Sequence, residues 1–197
     1  PAFRDKRYIR VNGKLFYIIY DSVGFKDVAT FIKTWRRLAQ ENGLNDFYFV
    51  ATDYNSEHRQ DLLGKGFDAT HNVDHLNIYH KSSVVGKVLR TIGRKYLHIP
   101  MIYKYSDAIK YMLHPDCRKR EVIPVIAPNW DHSPRSGARA LVMTHSEPKY
   151  FKKLAKKAIE MVKDKPGEEQ IIMIKSWNEW GEGNYMEPDM KYGHGYI

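Results

Sequence analysis

The chain has 197 residues, 32 Lys+Arg against 23 Asp+Glu, 43% hydrophobic and 28% charged residues, and a single cysteine. This ordinary globular usage excludes disorder and collagen-like or mucin-like sequence, and no apolar run approaches the roughly 18–20 residues of a membrane span. The net charge of +9 favours anionic partners such as phosphates, acidic polysaccharide, anionic lipid or nucleic acid, and says nothing about fold.

One cysteine, Cys117, cannot form an intramolecular disulfide, which points to a reducing compartment. The first residue is Pro1, no charged-then-apolar leader follows it, and the chain reads as truncated at its start.

Taken in order, Leu15-Phe16-Tyr17-Ile18-Ile19-Tyr20 reads as a buried strand after the turn pair Asn12-Gly13. Residues 25–42 predict a helix, with Val28, Phe31, Ile32, Trp35, Leu38 and Ala39 at spacings of three and four and Gly43 as its stop. A strand over 47–51, a short helix over 57–63 ending at Gly64 and a strand over 67–70 follow. The stretch 72–100 predicts a long loop with a helical portion near 83–93. Residues 104–113 predict a helix with Tyr105, Ala108, Ile109, Met112 and Leu113 on one face.

Val122–Ala127 reads as a strand weakened by Pro124, and 128–140 as a polar loop. The clearest helix covers 147–163, with Ser146 as its N-cap, Phe151, Leu154, Ala155, Ala158, Met161 and Val162 as its apolar stripe and a row of lysines outside. Pro166-Gly167 precedes the last strand, 170–175.

Alternation of this kind predicts α/β architecture with parallel strands and right-handed crossovers. No Gly-rich phosphate loop follows any strand, which removes the main support for a nucleotide-binding sheet. The expectation is one domain over 1–197: an incomplete (β/α)8 TIM barrel with about five C-terminal βα units present and roughly three N-terminal units missing.

In such a fold the active site lies at the C-terminal strand ends. These carry Tyr20-Asp21, Thr52-Asp53-Tyr54, His71-Asn72, the loop Pro128–Arg135 and the run Ser176–Asp189. Carboxylates, amides and aromatics gather there, as a sugar site requires: rings stack on a pyranose and carboxylates bond its hydroxyls. Glu179 and Glu182 are the candidate catalytic pair, because glycosidic chemistry needs a proton donor and a second group supporting an oxocarbenium-like transition state. Trp177 and Trp180 flank them, and Gly181 and Gly183 permit close approach of a ligand. The competing reading is that these glutamates cap a helix or pair with surface lysines.

The run Trp177-Asn178-Glu179-Trp180-Gly181-Glu182-Gly183-Asn184-Tyr185-Met186-Glu187-Pro188-Asp189 and on to Tyr196 closely resembles the C-terminal signature of the WbsX family. These are bacterial glycosyltransferases encoded with O-antigen and other surface-polysaccharide genes. The family is similar to the endo-α-mannosidases and endo-α-mannanases of glycoside hydrolase family 99, which are (β/α)8 barrels. Trp130-Asp131 with Arg135 resembles a second shared loop, Gly66-Phe67-Asp68 a shared strand, and Asp5–Lys14 the family's segment before a central strand.

The resemblance implies that Glu182 is the general acid/base. It implies that Glu179 assists the substrate 2-hydroxyl in displacing the leaving group through an anhydro-sugar intermediate. It also implies substrate contacts from Trp130, Asp131, Arg135, Trp177, Asn178, Trp180, Tyr185 and Glu187. Gly181-Glu182-Gly183-Asn184-Tyr185-Met186-Glu187 stands where the hydrolases carry a His-Glu-Gly-Thr-Gln-Ile-Glu version, so the surroundings of the acid differ.

The implied partner is an oligo- or polysaccharide with a lipid-linked or nucleotide-sugar donor, met in the cytoplasm at the inner membrane face, with peripheral membrane contact. The chain lacks an Asp-x-Asp motif, which weighs against a conventional sugar-nucleotide transferase. No cofactor or metal is expected: His71, His75 and His80 lack a flanking carboxylate motif. No nucleic acid is expected either, because the basic residues are scattered and no docking motif appears. An endo-acting α-glycoside (mannan-type) hydrolase is the alternative within the enzyme reading, and a non-catalytic glycan-binding barrel is the alternative from another class.

Overall fold

The computed structural model describes residues 2–54, 56–71, 78 and 83–197. Its strands are β1 (Arg10–Val11), β2 (Lys14–Ile19), β3 (Phe47–Thr52), β4 (Ala69–His71), β5 (Met101–Lys104), β6 (Val122–Ile123), β7 (Val125–Ile126), β8 (Trp130–Asp131), β9 (Leu141–Thr144), β10 (Met173–Ile174), β11 (Asn178–Glu179) and β12 (Asn184–Tyr185). Its helices are α1 (Val28–Glu41), α2 (Arg59–Gly64), α3 (Val84–Tyr96), α4 (Tyr105–Ala108), α5 (Ser133–Ser136) and α6 (Pro148–Val162). The fold is mixed α/β. The chain divides into two compact units: one comprises 1–73, 115–124 and 162–171, the other 74–114, 125–161 and 172–197.

The first unit holds a five-stranded sheet in the order β1-β2-β3-β4-β6. Asn12 (φ 50°) and Gly13 (φ 76°) make the tight turn between the antiparallel β1 and β2; left-handed angles at both positions match the twist of a two-residue hairpin. From β2 onward every pairing is parallel and follows chain order, the step from β4 to β6 passing over β5, which pairs elsewhere. All six residues of β3 are buried, as expected of a strand covered on both faces.

Leu15 and Ile19 of β2 join Val28 and Ile32 of α1 and Phe47 and Phe49 of β3 in one core. The opposite side of β2 is lighter: Phe16 stacks on Tyr48 and Ile18 is exposed. The strand therefore alternates rather than being buried throughout. Helix α1 stops as predicted. Gly43 adopts φ 63°, its N–H bonds the Gln40 carbonyl at 3.0 Å, and Leu44 N–H bonds Ala39 at 2.9 Å, the paired bonds of a Schellman stop.

In the second unit β5 pairs parallel with β9, which pairs antiparallel with β8, and β7 pairs parallel with β10. The strand expected over 122–127 is divided at Pro124, which offers no N–H to a ladder: β6 pairs with β4, and β7 with β10.

The helix expected over 104–113 is helical only at Tyr105–Ala108 and then tightens into turns with bonds from Lys110 to Asp107 and Tyr111 to Ala108. Its predicted apolar face is nonetheless buried at all five positions. Helix α6 buries Phe151, Leu154, Ala158, Met161 and Val162. Ser146 does not cap it: its hydroxyl donates to the Met143 carbonyl, and the Glu147 carbonyl accepts the first helical bond instead. Strand β10 is shorter than the expected 170–175 because Gly167–Glu169 form a 3-10 turn just before it.

Candidate active site

The parallel pair β7–β10 sends two loops out of its C-terminal end. The Lys175 N–H bonds the Ile126 carbonyl at 2.9 Å, so the loop beginning at Ala127 and the run beginning at Ser176 leave side by side. The first leads into β8 and α5, the second into the β11–β12 hairpin. Asn129 ties them, its Oδ1 accepting from the Tyr185 N–H at 2.8 Å.

The hairpin pairs Asn178 with Tyr185 and Glu179 with Asn184, and its tip is the 3-10 turn Trp180–Glu182. Gly183 closes that turn in the left-handed region at φ 53°. A Cβ there would lie 2.8 Å from Asp131 Cβ and 3.0 Å from Asp131 N. Glycine is thus needed twice, for its dihedral and for the contact between loops. Ser176 Oγ accepts from the Glu179 N–H at 3.1 Å and donates to the Asn184 carbonyl at 2.8 Å, fixing the base of the hairpin.

Glu179 and Glu182 lie at opposite ends of this turn and share one guanidinium. Arg135 Nη1 donates to Glu182 Oε1 at 2.7 Å, and its Nη2 is 3.9 Å from Glu179 Oε1. Glu182 is the more enclosed, its side chain 14% exposed against 42% for Glu179. Two further cationic or basic groups face it: Lys175 Nζ at 3.5 Å from Oε2 and His132 Nε2 at 3.8 Å from Oε1. Asp131 is occupied in accepting from the Ser133 N–H at 2.9 Å and the Ser133 hydroxyl, which sets the start of α5 and hence the position of Arg135.

The aromatics divide into two roles. Trp177 and Trp180 are about half exposed. Trp180 stacks on Tyr185 with centroids 3.7 Å apart and donates from Nε1 to Glu187 Oε2 at 2.7 Å. Asn178 reaches the other oxygen of Glu187 at 3.4 Å, and Tyr185 donates to Asp189 Oδ2 at 3.0 Å. Trp130 is buried, with Lys175 Nζ 4.6 Å above its ring. It supports Lys175 and offers no open face to a sugar.

The ten candidate residues of the sequence therefore all belong to these two loops. His132 and Lys175 are additions that the structure makes; the sequence signal for Lys175 is its place at the end of the last strand. Behind the hairpin, a cavity of about 330 Å³ is lined by residues including Asn129, Asp131, Gly183, Tyr185, Lys191 and Tyr192.

The strand ends of the first unit carry Tyr20 and Tyr54 in an edge-on pair with centroids 6.1 Å apart. Asp53 there is buried, and its carboxylate has no hydrogen-bond partner among the described residues. Asn72, His75 and His80 lie outside the described residues. Among the described residues, no group of three or more His, Cys, Asp or Glu could hold a metal ion, and no helix is long and apolar enough to cross a membrane. Cys117 is buried.

Over 195 residues the chain is 22% identical to WxcX, an uncharacterized protein of Xanthomonas campestris pv. campestris; the match covers 98% of this chain and 27% of that protein, and recurs with the same figures in a second strain. The chain thus spans about a quarter of the length of these relatives. Among solved structures it is similar to a glycoside hydrolase-like protein, with TM-score 0.60, 16% identity, and 99% of this chain against 55% of that one.

It is also similar to the GH99 endo-alpha-mannosidase of Bacteroides thetaiotaomicron, with TM-score 0.52, 19% identity, and 91% against 46%. These likenesses concern fold. The family model for glycosyltransferase WbsX matches residues 1–197, from the first strand pair to the end of the hairpin segment, and the chain belongs to that family.

Proposed function

We propose that this chain is the catalytic part of a carbohydrate-active enzyme that acts on glycosidic bonds of a bacterial surface polysaccharide, and that it is the C-terminal portion of a (β/α)8 barrel domain. The winding of β2, β3, β4 and β6, parallel and in chain order, supports the barrel reading. The single observation that carries the chemistry is the pair Glu179 and Glu182 at the two ends of one short turn, joined through Arg135 and flanked by half-exposed Trp177 and Trp180.

On this reading Glu182, the enclosed carboxyl, hands a proton to the leaving glycosidic oxygen. Glu179 takes the proton of the substrate 2-hydroxyl as that oxygen attacks the anomeric carbon, and the leaving group departs as an alcohol. The resulting anhydro sugar is reopened by a hydroxyl compound whose proton returns to Glu182, while the 2-oxygen takes its proton back from Glu179.

If the incoming hydroxyl is water the outcome is hydrolysis; if it is a hydroxyl of a second sugar the outcome is transfer. The same two glutamates serve both, so the family's transferase label and the hydrolase-like pair are compatible. Arg135 orients both carboxylates and must yield Glu182 when the substrate enters. Trp177 and the Trp180–Tyr185 stack supply apolar faces for a pyranose, with Glu187 holding Trp180 in place. The setting on this reading is cytoplasmic, at the inner membrane face, with a lipid-linked or nucleotide-sugar donor.

The test uses the intact protein, incubated with mannan, bacterial O-polysaccharides and a mixture of sugar nucleotides, with products followed by mass spectrometry. Glu182→Gln is expected to lower the rate by about 100-fold or more, as loss of a general acid does, and Glu179→Gln to do likewise while glycan binding persists. Shortened glycans identify hydrolysis and lengthened ones transfer. Unchanged product formation in Glu182→Gln removes the acid/base role, and glycan binding without any product leaves a non-catalytic binding barrel.

A further inference from the structure

The longest helix of the second unit apart from α6 is turned inside out. Helix α3 spans 13 residues and buries none of them. Its apolar side chains Val84, Val85, Val88, Leu89, Ile92 and Tyr96 are 46–76% exposed. At 100° per residue they share a stripe roughly 140° wide, the width of an ordinary core-facing stripe. Helix α6 buries Phe151, Leu154, Ala158, Met161 and Val162, and α1 buries Val28, Ile32 and Ala39, so full exposure of the stripe belongs to α3 and not to the fold in general. The other side of the helix faces the protein: the guanidinium of Arg90 lies 4.3 Å above the ring of Tyr103 on β5. The apolar surface continues past the helix through Leu97, Ile99 and Ile102, each about half exposed or more.

Charge names the occupant. From His75 to Ser106 the sequence has Lys81, Lys87, Arg90, Arg94, Lys95 and Lys104 and no Asp or Glu. This stretch supplies +6 of the net +9, in 32 of 197 residues. A second copy of the chain would bring two such segments together and meet their repulsion. A surface that is apolar along one stripe and negatively charged at its boundary meets both features at once: acyl chains take the stripe and anionic headgroups take the exposed Arg94, Lys95 and Lys104, Arg90 staying on Tyr103, with Tyr96 at the interface.

We propose that α3 docks the protein on an anionic lipid bilayer, lying in the plane of the interface. This role goes beyond the reaction assigned above and stands or falls separately from it.

The experiment is sedimentation of the intact protein with vesicles of phosphatidylcholine alone and with vesicles containing about one third phosphatidylglycerol. Binding is expected only to the anionic vesicles and is expected to weaken as salt rises. The paired substitution Val88→Glu with Leu89→Glu is expected to cut partitioning by about tenfold or more, with the circular dichroism of the wild type retained.

A second measurement does not depend on that variant folding. Val85→Cys is labelled with a polarity-sensitive fluorophore, Cys117 being buried, and its emission is expected to shift to the blue on adding anionic vesicles. Failure of the wild type to sediment with anionic vesicles overturns the proposal. So does a label already shielded without lipid, which would mean that another part of the intact protein covers the stripe. Self-association abolished by the paired substitution, with no lipid binding, or capture of an acidic protein in place of lipid, overturns it as well.

Discussion

His71 closes β4 with its ring Nε2 3.0 Å from Thr52 Oγ1, and burial pushes its imidazole down to about 4 from 6.5. Between those values the unfolded chain holds a proton that the folded chain refuses, so stability falls as pH drops through this window and is intact above it. The full difference corresponds to about 3 kcal/mol. Urea unfolding at about pH 4.5 and about pH 7 is expected to give a clear gap for the wild type, and His71→Gln is expected to narrow it.

Residue chemistry of this kind is only partly legible in the sequence. Glu179, Glu182 and their aromatic neighbours stand together in the chain, so their pattern can be read. The company Glu182 keeps cannot, because His132 and Arg135 are 50 and 47 positions away and reach it only through the side-by-side exit of two loops. Trp130 illustrates the same limit: its type suggests a sugar platform, while its burial under Lys175 depends on partners that no local pattern reveals.

Among the elements, two glycines separate backbone strain from crowding. Gly43 has φ 63° and nothing within 4 Å of where a methyl group would stand, whereas Gly183 has φ 53° and Asp131 within 2.8 Å. Gly43→Ala should therefore cost only the left-handed dihedral, about 1 kcal/mol. Gly183→Ala should cost about 1–3 kcal/mol and also displace Glu182 relative to Arg135. Thermal melts rank the two, and assays below both transitions should show activity lost only in Gly183→Ala.

Long periodic elements such as α1 and α6 are legible because each repeats its apolar spacing over three turns or more, whereas α3 reads only as a helical portion of a long loop because its stretch mixes His, Asn, Lys and Gly without a clean period. Strands β5 and β9 are not, since Met101–Lys104 and Leu141–Thr144 offer four residues each, too few for a period. Pro124 signals a weak strand, and only the pairings reveal that it divides one run between two ladders.

At the scale of the molecule, the first unit is gathered from three separate stretches by a few polar ties besides its core. Arg120 bonds Glu169 through two nitrogens, both at 2.5 Å, and Asn12 Nδ2 reaches the same carboxylate at 2.9 Å. Arg59 holds Asp116 at 2.7 Å, and Lys165 donates to the Val122 carbonyl. Glu169 is 4% exposed, so Arg120→Met leaves a buried carboxylate short of its main partner. The expected loss is about 1–3 kcal/mol, recovered in part by adding Glu169→Gln, and a double-mutant cycle of unfolding free energies measures the coupling.

The alternation of strands and helices is legible at this scale. The grouping into two units is not, because it is made by contacts between residues more than forty positions apart, for which a linear pattern has no local sign.

That grouping has a genetic consequence. The chain passes from one unit to the other five times, at 73/74, 114/115, 124/125, 161/162 and 171/172. No single cut in the gene separates the two, and every truncation beyond the first 73 residues or before the last 26 removes part of both. Neither unit can be inherited, exchanged or lost as one continuous segment, so insertions and deletions in this family are expected to fall inside loops rather than between units.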